Sequence, residues 1–341
     1  MVTIKDISKV SGFSITTVSK ALNNYSDISQ PTKDHILKLC KEMGYVPNSQ
    51  ARSLKTHKSY TIGIVFEEVT NQGLQHPLFS RILESFKRAV EAKGYDILFL
   101  ARNMPNGGSY LQHSKRKQVE SILVLCADFN SAELTELYQS DIPVVMIDFA
   151  AKNTTNVTSD NKEGVYQAVQ HLINHNHTKI AHIYGDKNSF IGGQRKEFFE
   201  QNIQEHGLTL NEDYLKDGEF FSKEEGYQAM QELMALNNPP TAVFCASDML
   251  AIGAINAILD AGKKVPDDFS IVGFDGIDLG QLITPRLTTI KQDAYAMGQL
   301  AADKMLGMIH PTKKAKKEEN LFVDTMLVEG DTVKTLTKES L

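Results

Sequence analysis

Seven short apolar runs, separated by stretches with helical spacing, constrain this chain more than any other feature. They are YTIGIVF at 60–66, YDILFLA at 95–101, SILVLCA at 121–127, IPVVMID at 142–148, KIAHIY at 179–184, TAVFCA at 241–246 and SIVGFD at 270–275. Continuous apolar runs of this length, without alternation, suit strands buried on both faces, as in a parallel sheet covered by helices. The intervening stretches supply the helices: Phe79, Ile82, Leu83, Phe86 and Val90 mark one that stops at Gly94, and others are expected at 161–175, from about Gly193, at 223–236 and at 248–261. The pattern restarts around Thr155–Ser159, so two α/β lobes in series are expected. No segment approaches the roughly 18 apolar residues of a membrane helix, and MVTIKDISKV holds no signal-like run, so no membrane partner and a cytoplasmic location are expected. Cys40, Cys126 and Cys245 are far apart, each in an apolar run, which fits reduced core thiols rather than a disulfide or metal framework.

The first sixty residues break this pattern. They hold nine Lys/Arg against four acids, a balance of +5, so the remainder carries −11 of the overall −6. A basic head on an acidic body suits a head that meets a polyanion. Thr3 and Asp6 form a T-x-x-D capping pattern ahead of Ile4, Ile7 and Val10. Ser11-Gly12-Phe13 breaks that helix, and Ser14 is a good N-cap for a second, SITTVSKALNN, whose Val18, Ala21 and Leu22 face inward. A third helix is expected from about Pro31 to Met43, with Gly44 as its stop. This is helix-turn-helix spacing, in which the second helix enters a major groove. Its Ile15, Thr16 and Lys20 point outward, where Ile15 suits a thymine methyl, Thr16 a base edge and Lys20 guanine acceptors. The backbone N–H groups near Ser14, with Thr17, Ser19 and Asn23, suit phosphates, and Thr3 is a further candidate DNA contact. Past Pro47, Asn48 can cap a short segment with Ala51, Arg52, Leu54 and Lys55, in which an apolar wedge between cations matches what enters a minor groove and parts a base step. A merely solvated helical face and a plain basic linker are the simpler alternatives.

VTIKDISKVSGFSITTVSKALNN and GYVPNSQARSLK together resemble the headpiece and hinge of the lactose-repressor and galactose-repressor (LacI/GalR) family, and the hinge ends in the A-R-S-L-K of its purine-repressor branch. The resemblance implies that Ile15, Thr16 and Lys20 read bases, that Leu54 intercalates at the operator centre, and that the hinge helix orders on DNA.

In the body, polar residues at the carboxyl ends of strands are the candidate ligand groups, because α/β lobes bind there. They are Asp148, Asp160, Ser247, Asp248 and Asp275, with Phe79 or Phe220 able to stack on a sugar ring. Carboxylates lining a cleft suit a neutral, hydroxyl-rich ligand, although an Asp after a strand often only caps the next helix. The family resemblance continues through about 95% of the chain: HPLF at 76–79, SDMLAIGA at 247–254 and IVGFDGIDLGQLITPRLTTIKQ at 271–292 are similar to its regulatory core. It implies a core like the periplasmic binding proteins, in which Arg195 clamps the effector opposite Asp275, and His76, Phe220 and Ser247 fall on pocket positions. Ser247 and His76 stand where the family usually has Asn, and Phe198 where it usually has Gly, which leaves the effector's identity open.

The expected organisation is therefore an all-α helix-turn-helix domain over 1–46, a hinge helix and linker over 47–59, and an effector-binding and dimerisation core of two parallel-sheet lobes over 60–341. The first lobe is expected at about 60–160 and the second at about 161–290, with 291–341 crossing back between them. A homodimer is expected, since one headpiece reads one half of a pseudo-palindromic site, and the end DTVKTLTKESL has no long heptad tail. No cofactor or metal is expected. His171 and His175 lie i, i+4, but no acid or Cys accompanies them, and His177 precedes a strand. KKAKKEEN at 313–320 reads as a solvated loop. With no phosphate-cradling glycine loop after any strand, an enzyme is not expected. The function expected is a transcriptional regulator, a repressor of a carbohydrate-utilisation operon tuned by a sugar; a purine or a phosphorylated partner protein is the alternative effector.

Overall fold

The structure, a computed structural model, describes residues 2–46, 58–67, 73–101, 108–127, 131–186, 189–219, 221–311 and 318–337. The chain divides into two compact units, Met1–Tyr60 and Thr61–Leu341.

The first unit is helical. α1 (Ile4–Ser11) starts at a complete capping box between Thr3 and Asp6 and ends at Gly12, whose φ of 73° gives the left-handed turn that only glycine adopts without strain. α2 (Ile15–Leu22) starts at Ser14, and α3 (Gln30–Glu42) carries Pro31 in its first turn. Ile7, Val18, Ala21, Ile36 and Cys40 meet in a small core in which Ile7, Val18 and Ile36 are fully buried.

The second unit has the two α/β lobes. In chain order its main elements are β1 (Thr61–Phe66), α4 (Pro77–Glu91), β2 (Asp96–Phe99), α5 (Tyr110–Lys117), β3 (Ser121–Leu125), α6 (Ala132–Tyr138), β4 (Val144–Ile147) and β5 (Thr155–Ser159). Then follow α7 (Asn161–Asn174), β6 (Ile180–Tyr184), α8 (Phe190–Glu205), β7 (Leu215–Asp217), α9 (Lys223–Met234), β8 (Ala242–Cys245), α10 (Asp248–Asp260), β9 (Ser270–Asp275), α11 (Asp278–Leu282) and β10 (Thr288–Gln292). The described chain closes with α12 (Ala294–Ile309), β11 (Glu319–Val323) and β12 (Thr325–Val328).

One sheet runs β11-β5-β4-β3-β1-β2, entirely parallel, and the other β12-β10-β9-β8-β6-β7, parallel except where β12 meets β10. β3 and β4 are buried at every position, as their unbroken apolar runs require. α8 begins at Phe190, three residues before the position its sequence suggested, because Ser189 accepts the Gly192 N–H at 3.0 Å and caps it. Gly192 is no breaker here: a Cβ would lie 2.2 Å from the Asp186 carbonyl oxygen, so the close approach demands glycine.

The chain passes between the sheets three times, after β5, after β10 and between β11 and β12. These crossings are tied together. The Asp160 N–H donates to the Val323 carbonyl at 2.8 Å, the Thr325 hydroxyl to the Asp160 carbonyl at 3.4 Å, and the Ser159 hydroxyl to Gln292 Oε1 at 2.7 Å. α/β sheets place ligands where successive strands turn to opposite sides, and the crossings bring such strand ends from both lobes together.

Candidate functional site

The outward face of α2 is built from its own caps. Ser14 Oγ accepts the Thr17 N–H at 3.1 Å and lies 2.9 Å from the Thr17 hydroxyl, while Asn23 Nδ2 donates to the Ser19 carbonyl at 2.7 Å. Ile15 is 44% exposed and Thr16 is exposed, so both stand clear of the headpiece core. Lys20 forms an ion pair with Asp27, so any base or phosphate contact by its ammonium competes with that pair. Thr3 lies on the α1 cap rather than on α2. Asn48, Ala51, Arg52, Leu54 and Lys55 lie outside the described residues, as does Phe220.

The second candidate site gathers around one buried guanidinium. Arg195 projects from α8 and is 3% exposed. Its Nε donates to Asn161 Oδ1 at 2.9 Å, its Nη1 to the Ala246 carbonyl at 2.7 Å, and its guanidinium lies 3.8 Å over the Phe274 ring. Nη1 is 3.8 Å from Asp275 Oδ1, and burial pulls the arginine's pKa down against the pull of Asp275 and Asp148. Asp275 ends β9 with φ at 124°, a strained setting for a non-glycine residue, and accepts from Gln292 Nε2 at 2.7 Å. Burial pushes its carboxyl up to about 6 despite the nearby Arg195 and the Gln292 hydrogen bond. Asp148, after β4, is also left-handed, with φ at 59°, and accepts from the Thr158 hydroxyl at 2.7 Å. Burial raises its pKa as well, opposed by Thr158 and Arg195.

Two other candidate acids do different work. Asp248 is fully buried: its Oδ2 accepts the Ile277 N–H at 2.8 Å and its Oδ1 the Thr289 hydroxyl at 2.5 Å. With both oxygens accepting inside the lobe, and burial driving its pKa well above the ordinary value, Asp248 fastens α10 to the sheet. Asp160 caps α7 by accepting the Glu163 N–H at 3.0 Å, which is the simpler role of an Asp behind a strand. Ser247 caps α10 through the Leu250 N–H at 3.1 Å and donates to the Phe221 carbonyl at 3.4 Å, still close to Arg195 through Ala246. His76 and Phe79 form an aromatic group with Phe66: the His76 and Phe79 rings are 4.5 Å apart and Phe79 meets Phe66 edge-on at 6.3 Å.

Several participants were not apparent from sequence. Ser159 and Gln292 extend the Arg195 and Asp275 group into the first lobe, Asn161 orients Arg195, and Phe149 of the first lobe meets Phe190 of the second at 5.9 Å. Their signal is positional, since Ser159, Asn161 and Gln292 flank the crossings. Away from this group, His177 lies between the Thr241 hydroxyl at 2.9 Å and the Lys334 carbonyl at 3.1 Å, and burial lowers its pKa to about 4. His171 and His175 rings pack 4.4 Å apart, with His175 Nδ1 2.7 Å from the His171 carbonyl.

This geometry can be set against known proteins. Residues 3–48 match the family of bacterial regulatory proteins, lacI family, and residues 169–333 match the periplasmic binding protein-like domain. The probable HTH-type transcriptional repressor ExuR of Bacillus subtilis (strain 168) is 37% identical over 99% of this chain and 100% of its own. The HTH-type transcriptional repressor PurR of Histophilus somni (strain 129Pt) is 35% identical over 98% of this chain and 100% of its own. The fold is similar to that of the lac repressor dimer bound to operator and the anti-inducer ONPF, with a TM-score of 0.83 at 23% identity, covering 98% of this chain and 99% of that one. A helix-turn-helix head, a two-lobed core with three crossings and full-length similarity to such repressors agree: the chain belongs to the lacI family of bacterial regulatory proteins.

Proposed function

We propose that the chain is a sequence-specific transcriptional repressor of a carbohydrate-utilisation operon, acting in the cytoplasm as a homodimer on a pseudo-palindromic operator, and not an enzyme. Ile15, Thr16 and Lys20 read base edges, Thr3, Ser14, Thr17, Ser19 and Asn23 hold phosphates, and Asn48, Ala51, Arg52, Leu54 and Lys55 form the minor-groove segment. The effector is a small neutral sugar. One observation carries that choice: Arg195, buried on Phe274, lies 3.8 Å from the Asp275 carboxylate, with the charges of Asp148 and Asp248 acting on it as well. A guanidinium already balanced by acids attracts no further anion, while its remaining N–H donors and the carboxylate oxygens suit hydroxyl groups.

Sugar binding couples to DNA binding by shifting the balance between lobe arrangements, to the extent that the sugar favours one of them. His76, Phe79, Phe220 and Ser247 remain candidate pocket residues. The purine alternative draws on the resemblance to a PurR repressor and on the flat guanidinium–phenyl stack.

The test is thermal unfolding against mono- and disaccharides, sugar acids, sugar phosphates, purines and nucleosides. A ligand at a hundredfold its dissociation constant adds about 2.7 kcal/mol. A shift with a neutral sugar that is lost in Arg195→Leu supports the reading. A shift confined to purines moves the effector to that class, and none with any ligand removes the pocket assignment.

A further inference from the structure

The lobes also meet away from the Arg195 group, through one long side chain. Arg81 stands on α4 of the first lobe, next to fully buried Ile82. The helix under it is fixed from behind. A Cβ at Gly298 of α12 would lie 2.4 Å from the Ile82 carbonyl oxygen, so α4 and α12 pack backbone to backbone, and the Ser85 hydroxyl donates to the Tyr295 carbonyl at 2.7 Å. From this firm base the guanidinium reaches the second lobe at two points: Nη2 pairs with the Asp278 carboxylate and Nη1 donates to the Gly276 carbonyl at 3.4 Å. Arg81 holds the Asp278 carboxyl below the ordinary carboxylate range, with Lys291 adding a smaller pull.

Both points belong to one turn, Asp275-Gly276-Ile277-Asp278, whose other two residues are held from inside the second lobe. The Ile277 N–H donates to Asp248 Oδ2 at 2.8 Å, and Asp275 accepts from Gln292 Nε2 at 2.7 Å and lies 3.8 Å from Arg195. The Gly276 carbonyl and the Ile277 N–H are opposite ends of the same peptide group. That planar unit therefore joins Arg81 of the first lobe to Asp248 in the interior of the second, and Asp275 is attached to it through the Gly276 Cα. Gly276 makes the turn with φ at 69°, and a Cβ there would lie 2.7 Å from the Lys291 Cβ, so the peptide has little room to tilt on its own.

We propose that Arg81 is a latch between the lobes, and that the turn over residues 275–278 ties its grip to the position of Asp275. The pair is open to solvent, with side chains 36% and 85% exposed, so it biases the choice between lobe arrangements without locking it, and salt weakens it. A displacement of Asp275 moves the peptide that Arg81 holds, which makes the latch a second route from the interior of the core to the relation between its lobes, separate from the Ser159 and Gln292 bridge.

The experiment measures the lobe-to-lobe distance by double electron–electron resonance on the full chain, without ligand or DNA. Spin labels go on Lys115→Cys of α5 and Gln228→Cys of α9, both exposed positions, in a Cys126→Ser background because Cys40 and Cys245 are buried. Excess unlabelled chain keeps each measured pair within one protomer. Arg81→Gln and Asp278→Asn should each change the ratio of the distance populations by about two- to fivefold, the range an exposed pair supports. Molar sodium chloride should move the parent toward these variants, and the reversed pair, Arg81→Asp with Asp278→Arg, should restore the parent ratio. Arg88→Gln, which breaks the Glu84 pair within α4, should leave the ratio unchanged. Asp275→Asn combined with Arg81→Gln should change it by less than the product of the separate effects, because both act on one turn. A parental ratio in Arg81→Gln and Asp278→Asn, or no restoration by the reversed pair, would overturn the latch; effects that multiply fully would overturn its tie to Asp275. No sugar or operator enters the measurement, so its failure leaves the effector reading standing.

Discussion

Replacing Gln292 with leucine tests whether the lobes are joined through their buried polar residues. Gln292 is 3% exposed and makes two hydrogen bonds of 2.7 Å, accepting from Ser159 of the first lobe and donating to Asp275 of the second. Leucine keeps most of the volume and removes both. A bond to a charged group contributes about 1.5–3 kcal/mol and a neutral one about 0.5–1.5, so the loss should be about 2–4 kcal/mol. At about 2 °C per kcal/mol for a unit of this size, the core transition should fall by about 4–8 °C in calorimetry of the full chain. A second readout follows from charge. The Gln292 bond lowers the pKa of Asp275, so without it the carboxyl should titrate above its present value of about 6 and attract Arg195 less strongly at neutral pH. Ser159→Ala made in the Gln292→Leu background should add much less than it does alone, because its partner is already gone. A Gln292→Leu transition within 1 °C of the parent, together with full additivity of the two changes, would show that the bridge carries no energy between the lobes.

Three other outcomes follow. Asp275 is raised from an ordinary 3.8 to about 6, so its contribution to stability is fully present below about pH 4 and is lost as pH rises through 6; stability relative to Asp275→Asn should therefore fall over that window, and a flat difference would place the carboxyl in water. The difference is needed because His177 and His182, held neutral by burial with pKa values of about 4 and 3, push stability the opposite way. Ile36→Ala empties a fully buried site in the headpiece and should cost about 2–5 kcal/mol, unfolding that unit and ending operator binding while the core transition stays put; intact operator affinity would show that the small core is not limiting. Lys20→Ala should relax preference at one base position per half-site in a scan of operator variants, and an unchanged preference would make Lys20 a phosphate contact only.

What the sequence showed best was local. The Thr3 and Asp6 capping box, the Gly12 break and the Ser14 cap are contained within a few residues, and all three appear in the fold where their types require. Central apolar runs became strands buried on both faces, as in β3, β4 and β9, whereas the YDILFLA run became the edge strand β2, where Phe99 is 46% exposed. The site was legible only in part. Arg195 and Asp275 do come together, but Ser159 and Gln292 are 133 residues apart, and their hydrogen bond exists only because two crossings meet. β5 is the instructive case. Thr155, Asn156, Thr158 and Ser159 are polar yet buried, because Asn156 accepts the Phe149 N–H, Thr158 donates to Asp148 and Ser159 to Gln292. Polar residues without the apolar run of the other strands are here the bonded interior of a junction.

The same reasoning separates the acids that looked alike in sequence. Asp148, Asp160, Asp248 and Asp275 all follow a strand or stand at its end, and residue type alone cannot rank them. Three-dimensional accounting of their oxygens can. Both oxygens of Asp248 accept hydrogen bonds from its own lobe, from a backbone N–H and a threonine hydroxyl, which gives it a part in holding that lobe together. Asp160 is committed to a helix cap and, through its backbone, to two crossings. Asp275 and Asp148 are each in a left-handed or strained conformation, Asp275 lies 3.8 Å from the buried guanidinium, and the charge of Asp148 in the other lobe also acts on it. An arginine shared by acids from both lobes holds its energy only while the lobes keep that arrangement. A ligand that competes for that guanidinium or for its acids therefore changes the balance between lobe arrangements as a direct consequence of being bound, to the extent that it favours one of them.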